Sequence, residues 1–315
     1  MRREADMPDP ESNNKSFVFV HGHHVKPAQQ RLEPIWHDAL RWGIERDYPE
    51  RTPLFDATNQ KMGYFGDLTN EVLAAKNQSY DEQLDVADRL NAFNELRGFT
   101  KRKRFKRWEY QRLPGKTAIK EILADVGSPV LGKLGLEKPA IARLAPEVLA
   151  YWDQNSPYGS AVRSRIRTAL IDAMNDSDEV MVIAHCMGAV IAYDVLWELS
   201  KSVAEHKVNV LLTLGCPLGN KTVQKKLAGH DYARAERFPS NILAWHNVSA
   251  EDDYVCHDKT VADDFKSMLK QRIVSSIKDY RIYNMAVRYG KSNPHSSVGY
   301  LVHPRVSKLV ADWVC

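Results

Sequence analysis

The sequence predicts an α/β fold with a mostly parallel sheet and helices on both faces. Short apolar runs alternate along the chain with longer segments in which apolar residues recur at helical spacing. An apolar run that lacks alternation is typical of a strand buried on both faces, as in a parallel sheet. The clearest run, residues 180–184, passes directly into a helical pattern. A buried strand followed at once by a helix is therefore the central prediction.

Length and composition indicate one large globular domain. The chain has 315 residues, of which 43% are hydrophobic, and a net charge of +4. An α/β fold of this size often forms one domain with an insertion. So small a net charge gives no general attraction to nucleic acid, and we expect no nucleic-acid partner. The four cysteines lack paired metal spacing, which favours reduced thiols in a cytoplasmic protein.

Two segments are predicted to lie outside the sheet. Residues 1–15 are polar, with no apolar stretch like that of a signal peptide, and we expect a disordered lead-in before an α/β domain over 16–315. Residues 68–152 are highly charged and helical in pattern, and their later part is broken by glycine and proline. This segment is predicted to be a cap or lid inserted over the active-site side of the sheet.

The other elements follow in chain order from the apolar patterns. Strands are predicted at 16–20, within 61–67, and at 180–184, 208–214, 242–248 and 280–286. Helices are predicted at 32–42, at 161–174, directly after residue 186, at 261–277 and from 304 onward. Pro304 at a first helical turn is typical of a helix start.

Cys186 lies at the predicted turn from strand to helix. The small residues Ala184 and Gly188 stand two positions before and after it, where larger side chains would clash in a sharp turn. A nucleophilic side chain in such a turn lies at the carboxyl edge of the sheet, where parallel strands gather functional residues. The simpler interpretation is a buried cysteine that serves only as a small apolar side chain.

The first strand is followed by the run His21–His24. Gly22 lets this loop approach the turn at Cys186 closely. The backbone N–H groups of His23 and Met187 are then predicted to form an oxyanion hole, which holds the negative oxygen of a tetrahedral intermediate. The alternative is a histidine-rich metal site, but no pattern such as H-E-x-x-H accompanies the run, and no metal is predicted.

Asp253 and His295 follow two later strands. Because functional residues gather at the carboxyl ends of parallel strands, both are expected near Cys186. The imidazole of His295 would transfer protons, and Asp253 would orient it. Asp252 is the alternative acid and His303 the alternative base.

This arrangement resembles the α/β-hydrolase superfamily, particularly its bacterial esterase- and lipase-like members. The resemblance covers residues 16–67 and 151–314, and includes Gly-Cys-Pro-Leu-Gly at 215–219 and His-Ser-Ser-x-Gly-Tyr at 295–300. It implies an acyl hydrolase with a nucleophile-His-Asp triad and a covalent acyl-enzyme, acting on an ester, thioester or lipid ester without metal or diffusible cofactor. The chain departs from the usual pattern at Ala184, for glycine, and at Cys186, for serine.

The cysteine leaves several interpretations open. The first is a natural cysteine hydrolase, as are the dienelactone hydrolases of the same fold. The second is a serine enzyme whose nucleophile has been replaced. The third is a weakened hydrolase scaffold that serves as a lipid- or protein-binding module. Acyl transfer to an acceptor other than water uses the same triad. The basic run 101–108, with two aromatic residues, suggests peripheral membrane contact, although a solvated helix face is the simpler interpretation.

Overall fold

Six parallel strands form the centre of the molecule. A computed structural model describes residues 14–114, 145–202, 207–256 and 258–315. The strands are β1 (Lys15–Val20), β2 (Asn59–Gly63), β3 (Glu179–His185), β4 (Val208–Leu214), β5 (Ile242–Ala250) and β6 (Ser276–Ile282). They are ordered β2-β1-β3-β4-β5-β6. The predicted α/β class with a mostly parallel sheet is confirmed.

Helices flank this sheet and connect its strands. Before β3 the described helices are α1 (Gln29–Asp47), α2 (Thr52–Asp56), α3 (Gly66–Ala74), α4 (Glu82–Arg97), α5 (Arg107–Tyr110), α6 (Pro146–Trp152) and α7 (Pro157–Asp176). After β3 they are α8 (Met187–Ser202), α9 (Lys221–Gln224), α10 (Lys266–Lys270), α11 (Ser297–Leu301) and α12 (Pro304–Trp313). A two-stranded antiparallel hairpin, β7 (Val287–Arg288) and β8 (Lys291–Ser292), lies between β6 and α11.

The two faces of the sheet bury separate sets of side chains. In β3, Val180 and Val182 pack with α7 and α8 on one face. Met181 and Ile183 pack with α1 and α12 on the other. Because successive side chains in a strand point to opposite faces, a strand covered on both sides must be apolar at every position. This requirement explains the unbroken apolar run in the sequence.

The chain changes direction across the sheet after β2. β1 pairs with β2 on one side and with β3 on the other, in a register that places Val20 opposite Ala184. In open α/β sheets such a reversal leaves a crevice at the carboxyl ends of the two strands between which the order reverses. Here those ends carry the loop that begins at His21 and the turn at Cys186.

Three predicted elements are wrong in extent or type. Residues 261–277 do not form one helix: α10 covers only five residues, and Arg272, in the left-handed region with φ 55°, precedes β6. The last strand of the sheet is consequently 276–282 rather than 280–286. The strand predicted within 61–67 is β2, which ends at Gly63 so that α3 begins at Gly66. Helical spacing misled because the apolar residues of a short helix and a following strand together imitate a longer helix.

The predicted insertion at 68–152 is helical where it is described. It contains most of α3 and all of α4, α5 and α6, while 115–144 falls outside the described residues. The predicted lead-in also falls outside them up to residue 13, and Lys15 already belongs to β1. None of the helices in the described ranges is long and apolar enough to cross a membrane.

Candidate active site

Cys186 occupies the turn between β3 and α8. Its backbone is in the left-handed region, with φ 57°, and its side chain is 2% exposed. Such a conformation costs a non-glycine residue on the order of 1–3 kcal/mol and persists only where the surroundings enforce it. The N–H of Cys186 donates to the carbonyl oxygen of Leu214 at 3.0 Å, which continues the β3–β4 pairing into the turn.

Two glycines bring the β1 loop against this turn. A Cβ atom on Gly188 would lie 2.3 Å from the carbonyl oxygen of His21 and 2.7 Å from that of Val20. A Cβ atom on Gly22 would lie 2.8 Å from the Cβ of Cys186. Gly188 is therefore small because of the β1 loop, and not because of Ala184 as the sequence suggested. The same approach brings the His23 ring to the thiol.

His295 and Asp253 are hydrogen-bonded beside Cys186. Nδ1 of His295 donates to Oδ2 of Asp253 at 2.8 Å, and the His295 ring and the Cys186 thiol line the same cavity. The carboxylate of Asp253 is buried and also accepts from the Tyr300 hydroxyl at 2.7 Å and from the Val255 N–H at 2.9 Å. Three donors hold this carboxylate in one orientation, and it in turn orients the imidazole.

Charge attraction favours the ionised form of both partners. Burial by itself would raise the pKa of Cys186, but the positive charges and hydrogen bonds of His23 and His295 lower it to about 5. Burial by itself would lower the pKa of His295, but the charges of Asp253 and Cys186, with their hydrogen bonds, raise it to about 10. The pair is therefore a thiolate and an imidazolium at neutral pH.

His185 hydrogen-bonds the backbone of the loop that carries His295. Its Nε2–H donates to the backbone oxygen of His295 at 3.0 Å, and the two rings lie 4.6 Å apart. Burial and the neighbouring charge of His295 hold the pKa of His185 well below its ordinary value, so this ring is neutral.

The two alternatives from the sequence lie elsewhere. Asp252 accepts a hydrogen bond from the Tyr110 hydroxyl at 2.9 Å, and His295 contacts Asp253 instead. His303 is the N-cap of α12, where Nδ1 accepts from the Arg305 N–H at 3.0 Å. Burial, with nearby positive charges, lowers the pKa of His303 to about 3, which suits this structural role.

The three histidines of the β1 loop do not face a common point. His21 donates from Nδ1 to the Gly22 oxygen and accepts at Nε2 from the Phe65 N–H. His24 has a left-handed backbone, and its N–H donates to a carboxylate oxygen of Glu147. Within the described ranges, no group of three or more His, Cys, Asp or Glu side chains is arranged to hold a metal ion.

A small cavity adjoins the thiol. It measures about 130 Å³ and opens between the β1 loop, α4, the β7–β8 hairpin and the loop that carries His295. Its lining combines apolar side chains with charged ones, namely Lys26, Asp85, Asp88, Arg89 and Arg288. Arg89 pairs with Asp85 at 3.0 Å, and Arg288 lies 3.6 Å from Asp88, so α4 and the hairpin are joined by ion pairs beside the cavity.

The basic run 101–108 is partly used inside the fold. Phe105 is buried, and Arg46 lies over its ring at 4.6 Å. Arg102 contacts the Tyr48 hydroxyl, and Arg104 pairs with Glu109 at 3.1 Å. Trp108, by contrast, is 50% exposed.

Three contributions to the site escaped the sequence analysis, namely the His23 side chain, His185 and Tyr300. His23 was chosen only for its backbone N–H, yet its Nδ1 lies 3.1 Å from Sγ of Cys186. Tyr300 belongs to the motif at 295–300, and its spacing from His295 could have indicated that the two residues lie in the same site. His185 had no signal, because its contact with His295 spans 110 residues.

The site must be interpreted from its own geometry. A comparison with protein-family models finds no match for this chain, and a comparison with curated proteins finds none either.

Proposed function

We propose that this chain is an acyl hydrolase of the α/β-hydrolase class, with Cys186 as nucleophile, His295 as acid and base, and Asp253 as the residue that orients His295. The observation that carries this proposal is the buried thiol at a tight strand-to-helix turn, which lines one cavity with an imidazole that a buried carboxylate holds at 2.8 Å. The chain order of nucleophile, acid and histidine is that of α/β-hydrolases.

The reaction begins with attack by the thiolate. The Sγ electron pair forms a bond to the carbonyl carbon, and the carbonyl π pair moves onto oxygen. Met187 opens α8, so its N–H has no acceptor within that helix and is available to the oxyanion, together with the N–H of His23. When the tetrahedral intermediate collapses, the carbon–oxygen bond to the leaving group breaks. The leaving oxygen takes the proton from Nε2 of His295.

Water completes the cycle. His295, now neutral, accepts a proton from water as the water oxygen attacks the thioester carbon. The carbon–sulfur bond then breaks, the carboxylic acid leaves, and the thiolate and imidazolium are restored. Asp253 keeps Nδ1 protonated throughout, so that Nε2 is the nitrogen that exchanges protons.

Short esters are the appropriate first substrates. The cavity beside the thiol is small, and five charged side chains contribute to its lining. We therefore propose a short or polar acyl ester, and propose that α4, which lines the cavity, is part of a cap that governs substrate entry. Acyl transfer to an acceptor other than water would use the same first step.

The test is intact-protein mass spectrometry after incubation with p-nitrophenyl acetate, butyrate and octanoate. The unchanged chain is compared with Cys186→Ala, Cys186→Ser and His295→Ala, and with His246→Ala as a control for loss of a half-buried histidine outside the site. We expect a one-acyl mass increase in the unchanged chain and the control, and none in Cys186→Ala or His295→Ala. Acylation of Cys186→Ala would contradict the proposal.

The serine variant separates the interpretations of Cys186. Turnover that Cys186→Ser lacks would identify a cysteine hydrolase. A stable acyl-enzyme in the unchanged chain with faster turnover by Cys186→Ser would identify a serine enzyme whose nucleophile has been replaced.

A second candidate function is peripheral membrane contact, favoured by the exposed Trp108 next to basic residues. Reversing the charge of Arg102 or Arg104 would also break internal contacts. The sharper variant is therefore Trp108→Ala with Lys106→Glu and Arg107→Glu. Loss of cosedimentation with vesicles containing anionic lipid is expected. Equal vesicle binding by this variant and the unchanged chain would contradict membrane contact through this segment.

A further inference from the structure

His23 is the second imidazole at the thiol of Cys186. Its Nδ1 lies 3.1 Å from Sγ, and the side chain is 6% exposed. Its other nitrogen, Nε2, is also buried and has no hydrogen-bond partner in the described ranges. Of the two ring nitrogens, Nδ1 therefore makes the hydrogen bond, and its partner is Sγ of Cys186.

The loop that carries His23 is held in place independently of the thiol. The ammonium of Lys26, a buried side chain, donates to the backbone oxygens of His23, His24 and Val25. Gly22 lets the loop lie against Cys186 without a side-chain clash. The ring is therefore held at Sγ by the backbone around it as well as by its contact with the thiol.

His295 and His23 have different hydrogen-bond partners and therefore different roles at the thiol. Nδ1 of His295 is engaged with Asp253, which leaves Nε2 for the proton of Cys186. Within the part of the chain that the structure describes, no carboxylate is hydrogen-bonded to the His23 ring, whose Nδ1 contacts sulfur. A thiolate only accepts hydrogen bonds, so Nδ1 of His23 must carry a proton when the thiol is ionised.

We propose that His23 is a further catalytic residue, which donates an Nδ1–H hydrogen bond to the Cys186 thiolate and holds the nucleophile ionised before attack. It moves no proton. When Sγ bonds to the acyl carbon, the sulfur loses its negative charge and the hydrogen bond weakens. The bond is restored when the carbon–sulfur bond breaks. The role in catalysis rests on the proposed acyl transfer, but the effect on the thiolate requires no substrate.

The test is the pH dependence of Cys186 alkylation by iodoacetamide, followed by peptide mass spectrometry to separate it from the other cysteines. In His23→Asn the amide nitrogen takes nearly the place of Nδ1, whereas in His23→Gln the same amide is displaced by one bond. His23→Leu removes the donor and keeps an apolar side chain. His37→Leu, on the outer side of α1, is the control.

We expect the unchanged chain and His37→Leu to share a thiol pKa of about 5, and His23→Asn to lie above them but below His23→Gln and His23→Leu, because its amide keeps the hydrogen bond but not the charge. In His23→Gln and His23→Leu the thiol pKa should rise by about 1–3 units, as when a close partner of a charged group is lost. A rise of about two units slows alkylation at pH 6 roughly ten-fold, because the thiolate fraction falls by that factor.

Equal thiol pKa values in folded His23→Asn, His23→Gln and the unchanged chain would overturn the proposal. If His23→Leu does not fold, the Asn and Gln variants decide the matter, since they differ only in where the amide lies. A chain that shows the expected shifts but is acylated by no ester would disprove the proposed function and leave the role of His23 at the thiolate intact.

Discussion

His295 and Asp253, 42 residues apart in the sequence, are joined by a 2.8 Å hydrogen bond from Nδ1 to Oδ2. This bond links the end of β5 to the loop before α11. It fixes which nitrogen of His295 faces the thiol, because the nitrogen that donates to the carboxylate cannot also accept the proton of Cys186. The tautomer of the imidazole is therefore determined by a residue that never touches sulfur.

Asp253→Asn should lower ester turnover by about 10²–10⁴-fold, the usual contribution of a correctly protonated acid and base. The amide can donate to Nδ1 and so favour the wrong tautomer. It also removes the negative charge that raises the pKa of His295. Asp252→Asn is the matched control, since Asp252 contacts Tyr110. Equal rates in the two variants, measured with p-nitrophenyl acetate, would show that Asp253 does not orient His295.

The Cys186–His295 pair should contribute most to the free energy of unfolding, and by a nearly constant amount, between about pH 6.5 and 9. The folded pKa of Cys186 is lowered from 9.0 to about 5, so its contribution is complete above pH 9 and lost as pH falls toward 5. The folded pKa of His295 is raised from 6.5 to about 10, so its contribution is complete below pH 6.5 and lost as pH rises toward 10. Between 6.5 and 9 the two changes cancel.

Outside that range only one of these two residues changes its contribution, with a slope of up to about 1.4 kcal/mol per pH unit. The contribution of the pair should rise from pH 5 to 6.5 and fall from pH 9 to 10. Urea unfolding at a series of pH values measures this. In Cys186→Ala the rise between pH 5 and 6.5 should be reduced by that slope. The same rise in both proteins would mean that the thiol is not ionised in the folded state.

Tyr300→Phe should destabilise the fold by about 1–3 kcal/mol and reduce turnover. The hydroxyl donates to Asp253 and accepts from the Ala250 N–H at 2.8 Å, so its removal leaves a buried N–H without its partner and frees one side of the carboxylate. Tyr232→Phe, at a 52% exposed side chain, is the control and should change stability little. Denaturant midpoints and kcat provide the comparison.

Gly188→Ala should prevent folding or destabilise it severely. The added Cβ would meet two backbone oxygens of the β1 strand end at 2.3 and 2.7 Å, and backbone on both sides cannot move away without opening the sheet. Gly98→Ala is the matched control, because among the described residues outside its own neighbours the added Cβ would meet one atom, the Glu95 oxygen at 3.1 Å, and its φ is −65°. Circular dichroism and thermal unfolding distinguish the two. Near-native stability of Gly188→Ala would show that the β1 loop does not lie against the turn.

The sequence by itself determined the α/β class and the residues most suited to chemistry. Strands buried on both faces must be apolar throughout, so β1, β3 and β4 were predictable within a residue at each end. The turn at Cys186 was predictable because its small neighbours follow a strand at once. Asp253 and His295 were predictable because parallel strands present their carboxyl ends at one edge.

Only the tertiary structure determined which side chains at those strand ends contact one another. The contacts of His23 with Cys186, of Tyr300 with Asp253 and of His185 with His295 span 163, 47 and 110 residues. No local pattern encodes such a distance, because which side chain fills a gap depends on the packing of elements remote in the chain. For the same reason helical spacing failed at 261–277, where packing against the sheet favoured a short helix and a strand over the longer helix that the local pattern predicts.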